Sequence, residues 1–475
     1  MEWERIREEG LESGQGQVAA ELLRIYEATG QGPERASVLL QLGRLCLAAG
    51  LPEGAEEFLS ESCELEAGLA TAWFERGRAC QLLCRDEEAA DYLRRGLDLE
   101  PALPEGNFRL GQAMQALGRH SEALQLYQKV GYGEAHAGKA RHNEALIALQ
   151  RGDFARGWEA YEHRWDENPR MARRSFAGRL WLGWERLEGR TILLHAEQGL
   201  GDTLQFVRHA RQVAGLGARV LLEVQAPLAG LLAANGLAEQ VIARGEPLPP
   251  HDFHCPLCSL PLALGRRGVS ALAAQPPYLR AAHGDSPALE RVRVVSGRPR
   301  IGVSWRGNPL HGRDRQRSIP GGQFRDLFAA QGGHFFGLQL SPPMEPAFAE
   351  GLTNFTDLSD CIGSFADTAA VVAELDLVIC VDTALAHLAG AMGRPAWLLL
   401  PAVADWRWGL EGEGSCWYPS LRLLRQARGG GWGELLGRVI FLLDLGRGFG
   451  NCAFHGRPED PRNLPESAAE ARLHH

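Results

Sequence analysis

Thr191-Ile192-Leu193-Leu194-His195-Ala196 runs into Glu197-Gln198-Gly199-Leu200-Gly201-Asp202 and then into Thr203-Leu204-Gln205-Phe206-Val207-Arg208-His209. An apolar run of strand length, a turn with two glycines and a helical stretch follow one another, and Ala218 to Val224 supplies a second apolar run. Strand, Gly-rich turn, helix and strand make a βαβ unit, whose parallel strands are buried on both faces. After a polar stretch from Ala281 to Arg298 the same grammar restarts at Arg298-Pro299-Arg300-Ile301-Gly302-Val303-Ser304-Trp305. It continues through His334–Leu340, Asp376–Asp382 and Arg394–Leu400. Two doubly wound units in succession imply a cleft between them, and ligands of such folds bind outside the carboxyl ends of the strands.

Upstream the texture is different. Gly43, Gly77, Gly111 and Ala145 are spaced 34 apart, and so are Gly50, Cys84, Gly118 and Gly152. Ala55, Ala89, Ala123, Gly157 and Leu59, Leu93, Tyr127, Tyr161 keep the same step. Four series in register at this period resemble tetratricopeptide repeats, helical hairpins that stack into a superhelix with a concave face. The expected organisation is a helical repeat domain over residues 1–172, with a cap helix within 15–30, and a bridge rich in Arg and Trp over 173–189. Two Rossmann-like α/β units follow over 190–297 and 298–445, and a disordered tail over 446–475. Arginines are few on the expected inner helices, so capture of a partner there is expected to rest on apolar and hydrogen-bond contacts rather than salt-sensitive ones.

At 475 residues, with 45% hydrophobic and 23% charged, the chain has the composition of a folded protein of two to three domains at ~150 residues each. Its net charge of -9 gives it no electrostatic reason to bind nucleic acid. Lys129 and Lys139 are its only lysines, so a phosphate must be met by guanidinium, imidazole or backbone groups, and lysine-based chemistry is excluded. No secretory signal and no apolar run of spanning length is read, so a cytoplasmic protein without a membrane span is expected. The 10 cysteines fit reduced thiols. Cys255 and Cys258 lack the second pair a zinc site would need, and no metal is expected.

Four places could carry chemistry. In Gln198-Gly199-Leu200-Gly201-Asp202 the glycines admit a close approach, and Asp202 either caps the helix or accepts a proton from an attacking hydroxyl. Arg306, directly after the strand ending at Trp305, is placed to point into the crevice, with Asn308 beside it, whereas Arg313 and Arg315 read as a solvated loop. At Asp382-Thr383-Ala384 a helix starts behind a buried strand, and its N–H groups form a diphosphate site. His387 stands one turn on and on the same face. Asp405-Trp406-Arg407-Trp408 with Trp417-Tyr418 could stack on a base or sugar ring and fix hydroxyls.

These motifs together resemble the GT-B glycosyltransferases of the heptosyltransferase-like group, glycosyltransferase family 9, in the bacterial branch fused to tetratricopeptide repeats. The carriers are EQGLGDTLQFVRH at 197–209, DFHCPLCSLPLALG at 252–265, SWRGNP at 304–309, VDTALAHLAGAMGRPAWLLLP at 381–401, DWRW, and WYPSLRLLRQ up to 426. GDFARGWEAYEHRW at 152–165 is similar to the bridge repeat of that branch. The resemblance implies an acceptor-side unit at 190–297 and a donor-side unit at 298–445, with Asp202 as general base. It implies that Asp382, Thr383 and His387 hold the donor diphosphate, that Arg306 is a phosphate contact, and that Gln339 lies near the nucleotide. Ala384 stands where heptosyltransferases commonly have Gly, and the DWRW loop has no counterpart there, so ADP-heptose is not assumed.

Repeats fused to such a module also occur in protein O-glycosyltransferases, including those that modify flagellin. The expected activity is therefore transfer of a sugar from a nucleotide-sugar, a substrate and not a cofactor, to a protein hydroxyl recruited on the concave face. Alternatives are a glycan or lipopolysaccharide glycosyltransferase and a non-catalytic repeat scaffold.

Overall fold

The computed structural model describes residues 24–28, 30, 32–131, 133–134, 136–166, 174–272, 275–282, 286–310, 312–329, 333–340 and 346–445. The chain divides between Arg173 and Arg174 into two units. Residues 15–23 of the expected cap helix, 167–172 at the end of the expected repeat domain, 173 at the start of the bridge and the expected tail lie outside the described residues; 24–28 are helical.

The first unit is four helical hairpins: α1 (Pro33–Ala48) with α2 (Pro52–Leu65), α3 (Ala70–Leu82) with α4 (Asp86–Leu99), α5 (Gly106–Ala116) with α6 (His120–Gln128), and α7 (Ala137–Gln150) with α8 (Phe154–Tyr161). The repeat has a steric cause. A Cβ on Gly43, Gly77 or Gly111 would lie 2.5, 2.6 or 2.6 Å from Leu59, Leu93 or Tyr127, so only a residue without a side chain lets each hairpin close on its large partner. The turns are equally uniform: Gly50, Cys84, Gly118 and Gly152 have φ of 76°, 59°, 71° and 80°, each a left-handed helix end.

Helices α1, α3, α5 and α7 each touch the next of the set and form one continuous layer. That layer is not poor in arginine, contrary to the sequence expectation. Arg44 Nε meets Glu75 Oε1 at 2.9 Å, Arg78 Nη1 meets Glu75 Oε2 at 2.6 Å, and Arg109 Nη2 meets Glu105 Oε2 at 3.1 Å, while Arg141 pairs with Glu144. These arginines pair with glutamates of the same layer, so the layer carries ion pairs as well as apolar contacts.

The second unit holds two all-parallel sheets. The first, in the order β1-β5-β2-β3-β4, comprises β1 (Arg179–Leu180), β2 (Thr191–His195), β3 (Arg219–Val224), β4 (Gln240–Ala243) and β5 (Phe253–Pro256). It begins before residue 190, because Arg179 and Leu180 add an edge strand to Phe253 and His254. Phe176 packs on Leu193, Leu221 and Ile242, and Arg174 Nη2 donates to the buried Glu223 carboxylate at 2.8 Å.

The second sheet runs β11-β10-β9-β6-β7-β8, with β6 (Arg300–Ser304), β7 (His334–Gly337), β8 (Phe355–Asp357), β9 (Leu377–Val381), β10 (Ala396–Leu400) and β11 (Leu421–Arg425). Its core stacks Trp305 on Phe324 and Phe348 and joins Ile301, Ile379, Leu399 and Val439. No described helix is long and apolar enough to cross a membrane.

His209, fully buried, makes stability depend on pH. Its Nδ1 lies 2.6 Å from Gln212 Oε1, its Nε2 has no partner among the described residues, and burial pushes its pKa down to about 4. The unfolded chain binds this proton near pH 6.5 and the folded one only near 4, so the group's contribution is complete above 6.5 and is lost as pH falls towards 4. About 3 kcal/mol is at stake. Urea midpoints at pH 7.5 and pH 5 should therefore differ more in the parent than in His209→Gln; equal differences would contradict the assignment.

Candidate active site

Each sheet of the second unit changes direction once. In the first, the chain runs outward through β2, β3 and β4 and returns to the other side of β2 at β5; in the second it runs out through β6, β7 and β8 and returns beside β6 at β9. The loops after β2, β6 and β9 thus flank the two switch points, where a parallel sheet leaves a crevice. These loops hold Gln198 to Asp202, Arg306 to Asn308, and Asp382 to Ala384. Helix α9 (Leu200–Phe206) starts after β2 and α12 (Ala384–Ala391) after β9. Their first turns touch: a Cβ on Gly201 would lie 2.8 Å from His387 Cδ2 and 3.7 Å from Ala384 Cα. Gly201 is required by close approach and not by an unusual φ.

Asp202 does what a helix cap does and more. Its Oδ2 accepts the Gly199 N–H at 2.9 Å, and its Oδ1 accepts Arg407 Nη2. Arg407 also donates from Nε to Gln205 Oε1 at 2.6 Å and from Nη1 to Asp405 Oδ1 at 2.9 Å, with its guanidinium 4.3 Å over the Trp406 ring. The Gln198 carbonyl accepts Gln225 Nε2 at 2.8 Å, which fixes the turn before α9.

On the other side of the crevice, Arg306 is half-buried, and no described residue pairs with its guanidinium. Its backbone is held by Gln339, whose Oε1 accepts Ser304 Oγ, Trp305 N and Arg306 N at 3.1, 3.1 and 2.9 Å. Gln339 Nε2 returns to the Arg306 carbonyl at 3.3 Å. Gln339 is therefore buried, and its amide holds the backbone of the loop that carries Arg306. Asn308 Oδ1 accepts the Leu310 N–H at 3.0 Å in an exposed turn. Arg317 Nη1 reaches the Asp382 carbonyl at 3.0 Å.

Thr383 has an extended backbone at the start of α12, and its Oγ1 is buried with no partner among the described residues. Burial and the Asp405 carboxylate raise the Asp382 pKa, against the pull of Trp408, Arg317 and Arg407. His387 is buried and its Nδ1 lies 2.9 Å from the Tyr418 hydroxyl. Burial, with Arg407 and Arg208 adding, holds its pKa well below the usual imidazole value, so the ring is neutral at pH 7.

The aromatic cluster does not offer a stacking surface. Trp406, Trp408, Trp417 and Tyr418 are all buried; Trp406 meets Trp417 edge-on at 6.1 Å, and Trp408 lies 5.4 Å from His387. Trp406, expected to stack on a base or sugar, is instead buried against Trp417 and the Arg407 guanidinium, while Trp417 and Tyr418 flank Arg208, and Trp408 and Tyr418 flank His387. Asp405 is engaged by Arg407 side chain and backbone. Cys255 and Cys258 are buried thiols. Sequence reasoning gave no role to Arg208, although an arginine within Leu204 to Ala210, a helical stretch behind a buried strand, is itself a signal of a buried cation.

The model of glycosyltransferase family 9 (heptosyltransferase) matches residues 363–399, the stretch that carries β9, Asp382 to His387 and β10. Protein FlbA of Caulobacter vibrioides is 27% identical over 338 residues, 63% of this chain and 54% of that protein, so the chain spans about half the length of this curated relative. The glycosyl transferase family 9 structure from Veillonella parvula aligns with 11% identity over 51% of this chain and 87% of that one, at a TM-score of 0.38. The crystal structure of MamA aligns with 22% identity over 33% and 90%, at a TM-score of 0.28. The chain is a helical array with a 34-residue repeat followed by a parallel α/β unit, and residues 363–399 around its second switch point match the model of glycosyltransferase family 9.

Proposed function

We propose that the second unit is a glycosyltransferase that moves a sugar from a nucleotide-sugar to a hydroxyl group of a protein recruited by the repeats. The observation that carries this reading is the pairing of two helix starts across the switch points: α12 with Thr383, Ala384 and Arg306, whose guanidinium no described residue pairs, against α9 with Asp202. Backbone N–H groups of α12 and the Arg306 guanidinium suit a diphosphate. Asp202 suits the acceptor side, where its carboxylate takes the proton as the hydroxyl oxygen bonds to the anomeric carbon. The bond from that carbon to the diphosphate oxygen breaks, and the nucleoside diphosphate leaves on the α12 side. Arg407 holds Asp202 in the present arrangement, so the acceptor hydroxyl displaces one of its contacts on entry.

Charge on the leaving group is met in this reading by Arg306, His387 and the helix start rather than by a divalent ion. Release of nucleoside diphosphate from a panel of nucleotide-sugars should then be seen with one base, and should persist in EDTA. No release from any donor would sink the reading; loss in EDTA with recovery in magnesium or manganese would sink its metal-free form.

A further inference from the structure

We propose that Arg407 sets the choice between acceptors: paired with Asp202 it withholds the base from water, and it yields that carboxylate to a hydroxyl whose own binding displaces it. The proposal rests on the glycosyltransferase reading of the same site.

Arg407 belongs to the loop after β10, whereas Asp202 and Gln205 lie on α9, 205 and 202 positions away in the chain. Its side chain is 10% exposed. Three contacts hold the guanidinium without any help from Asp202. Its Nε donates to Gln205 Oε1 at 2.6 Å and its Nη1 to Asp405 Oδ1 at 2.9 Å, while its carbon lies 4.3 Å over the Trp406 ring, which is itself buried edge-on against Trp417. Asp405 Oδ1 also accepts the Arg407 backbone N–H at 3.0 Å, so the same carboxylate ties side chain and main chain together. The remaining contact, from Nη2 to Asp202 Oδ1, can be given up while the arginine keeps its seat.

Asp202 is engaged on both oxygens, and its side chain is 20% exposed. The bond from the Gly199 N–H to Oδ2, at 2.9 Å, closes the start of α9, and breaking it would fray the helix. The bond to Arg407 closes nothing local. A guanidinium only donates, so a proton arriving on Oδ1 along that line would meet an N–H and not a lone pair. The Arg407 contact is therefore the one an incoming hydroxyl exchanges.

Water brings nothing to offset the loss of a charge-assisted hydrogen bond. A hydroxyl on a bound polypeptide does, because contacts remote from the reacting atom supply the free energy that rearranges the site. With Arg407 in place the base answers to the bound acceptor, and the nucleotide-sugar is preserved until one arrives. Without Arg407, a water proton passes to Asp202 as the water oxygen bonds to the anomeric carbon. The bond from that carbon to the diphosphate oxygen breaks, and free sugar and nucleoside diphosphate leave.

The test uses the full chain and a panel of nucleotide-sugars with no acceptor protein present, and follows release of nucleoside diphosphate. Release should rise about tenfold in Arg407→Ala, as expected for loss of one hydrogen bond to a charged group, with KM for the nucleotide-sugar unchanged. Adding Asp202→Asn to that variant should remove the gain. An arginine that served the fold alone would lower release instead. Arg407→Gln, which keeps a planar amide beside Trp406 but not the charge, should show the same gain and decides the matter if Arg407→Ala does not fold. Carbodiimide labelling of carboxylates, read at Asp202 by peptide mass mapping, should be faster in either variant than in the parent. Release unchanged or lowered in the folded variants, or Asp202 labelled no faster in them, would overturn the proposal. If Asp202 is labelled faster but neither parent nor variant cleaves any nucleotide-sugar, Arg407 does shield the carboxylate, the glycosyltransferase reading fails, and the choice between acceptors falls with it.

Discussion

Asp202→Asn is expected to leave the chain folded and able to bind nucleotide while turnover falls by ~10²- to 10⁴-fold, the usual contribution of a positioned base. An amide normally caps a helix about as well as a carboxylate, so little loss of stability would be expected from the sequence. The structure changes that forecast. Both carboxylate oxygens are used, one by the Gly199 N–H and one by Arg407, and an amide has a single acceptor oxygen for the two donors. One contact is lost, at about 1 kcal/mol. A small drop in unfolding midpoint with a large drop in the rate of sugar transfer is the expected pair of results. Transfer at the parental rate would leave Asp202 as a cap and a tether for Arg407, with the base elsewhere.

Removing residues 1–173 should abolish transfer to the natural protein acceptor while nucleotide binding and slow donor hydrolysis persist. The cut respects the division between Arg173 and Arg174 and keeps Arg174, without which the buried Glu223 carboxylate would lose its bidentate partner. Arg44, Arg78, Arg109 and Arg141 along the inner helices add a second expectation. Acceptor modification by the full chain should weaken as salt rises from 0.05 to 0.5 M, on the order of the change in Debye length, while donor hydrolysis should not. If the truncated enzyme modifies the acceptor as efficiently as the full chain, recruitment by the repeats is wrong and a glycan or lipid acceptor is the better reading.

Much of the architecture was legible because it rests on local rules. A step of 34 residues carried Gly43, Gly77 and Gly111 onto Leu59, Leu93 and Tyr127, and apolar runs with glycine turns marked β2, β6, β9 and β10. The strand at Arg179 and Leu180 was not legible, since two exposed residues on a sheet edge show neither alternation nor an apolar run.

Within the site, strand-to-helix turns placed Asp202, Arg306 and Thr383 to His387 on the crevice loops. What the sequence did not record is the long-range partner that some polar and aromatic side chains take. Gln339 was spent on the Arg306 loop, Trp406 on the core and Asp202 on Arg407. Each of these depends on partners far along the chain, 33 positions for Gln339 with Arg306 and 205 for Asp202 with Arg407, and no local pattern records them.

The central claim, a nucleotide diphosphate site where α12 begins, is tested most directly by titration calorimetry of nucleoside diphosphates against the parent, Arg306→Ala and His387→Ala. The account predicts saturable binding of one base by the parent, weakened by about 1.5 to 3 kcal/mol in each variant as one charge-assisted or buried hydrogen bond is lost. Affinity unchanged in both variants would contradict it.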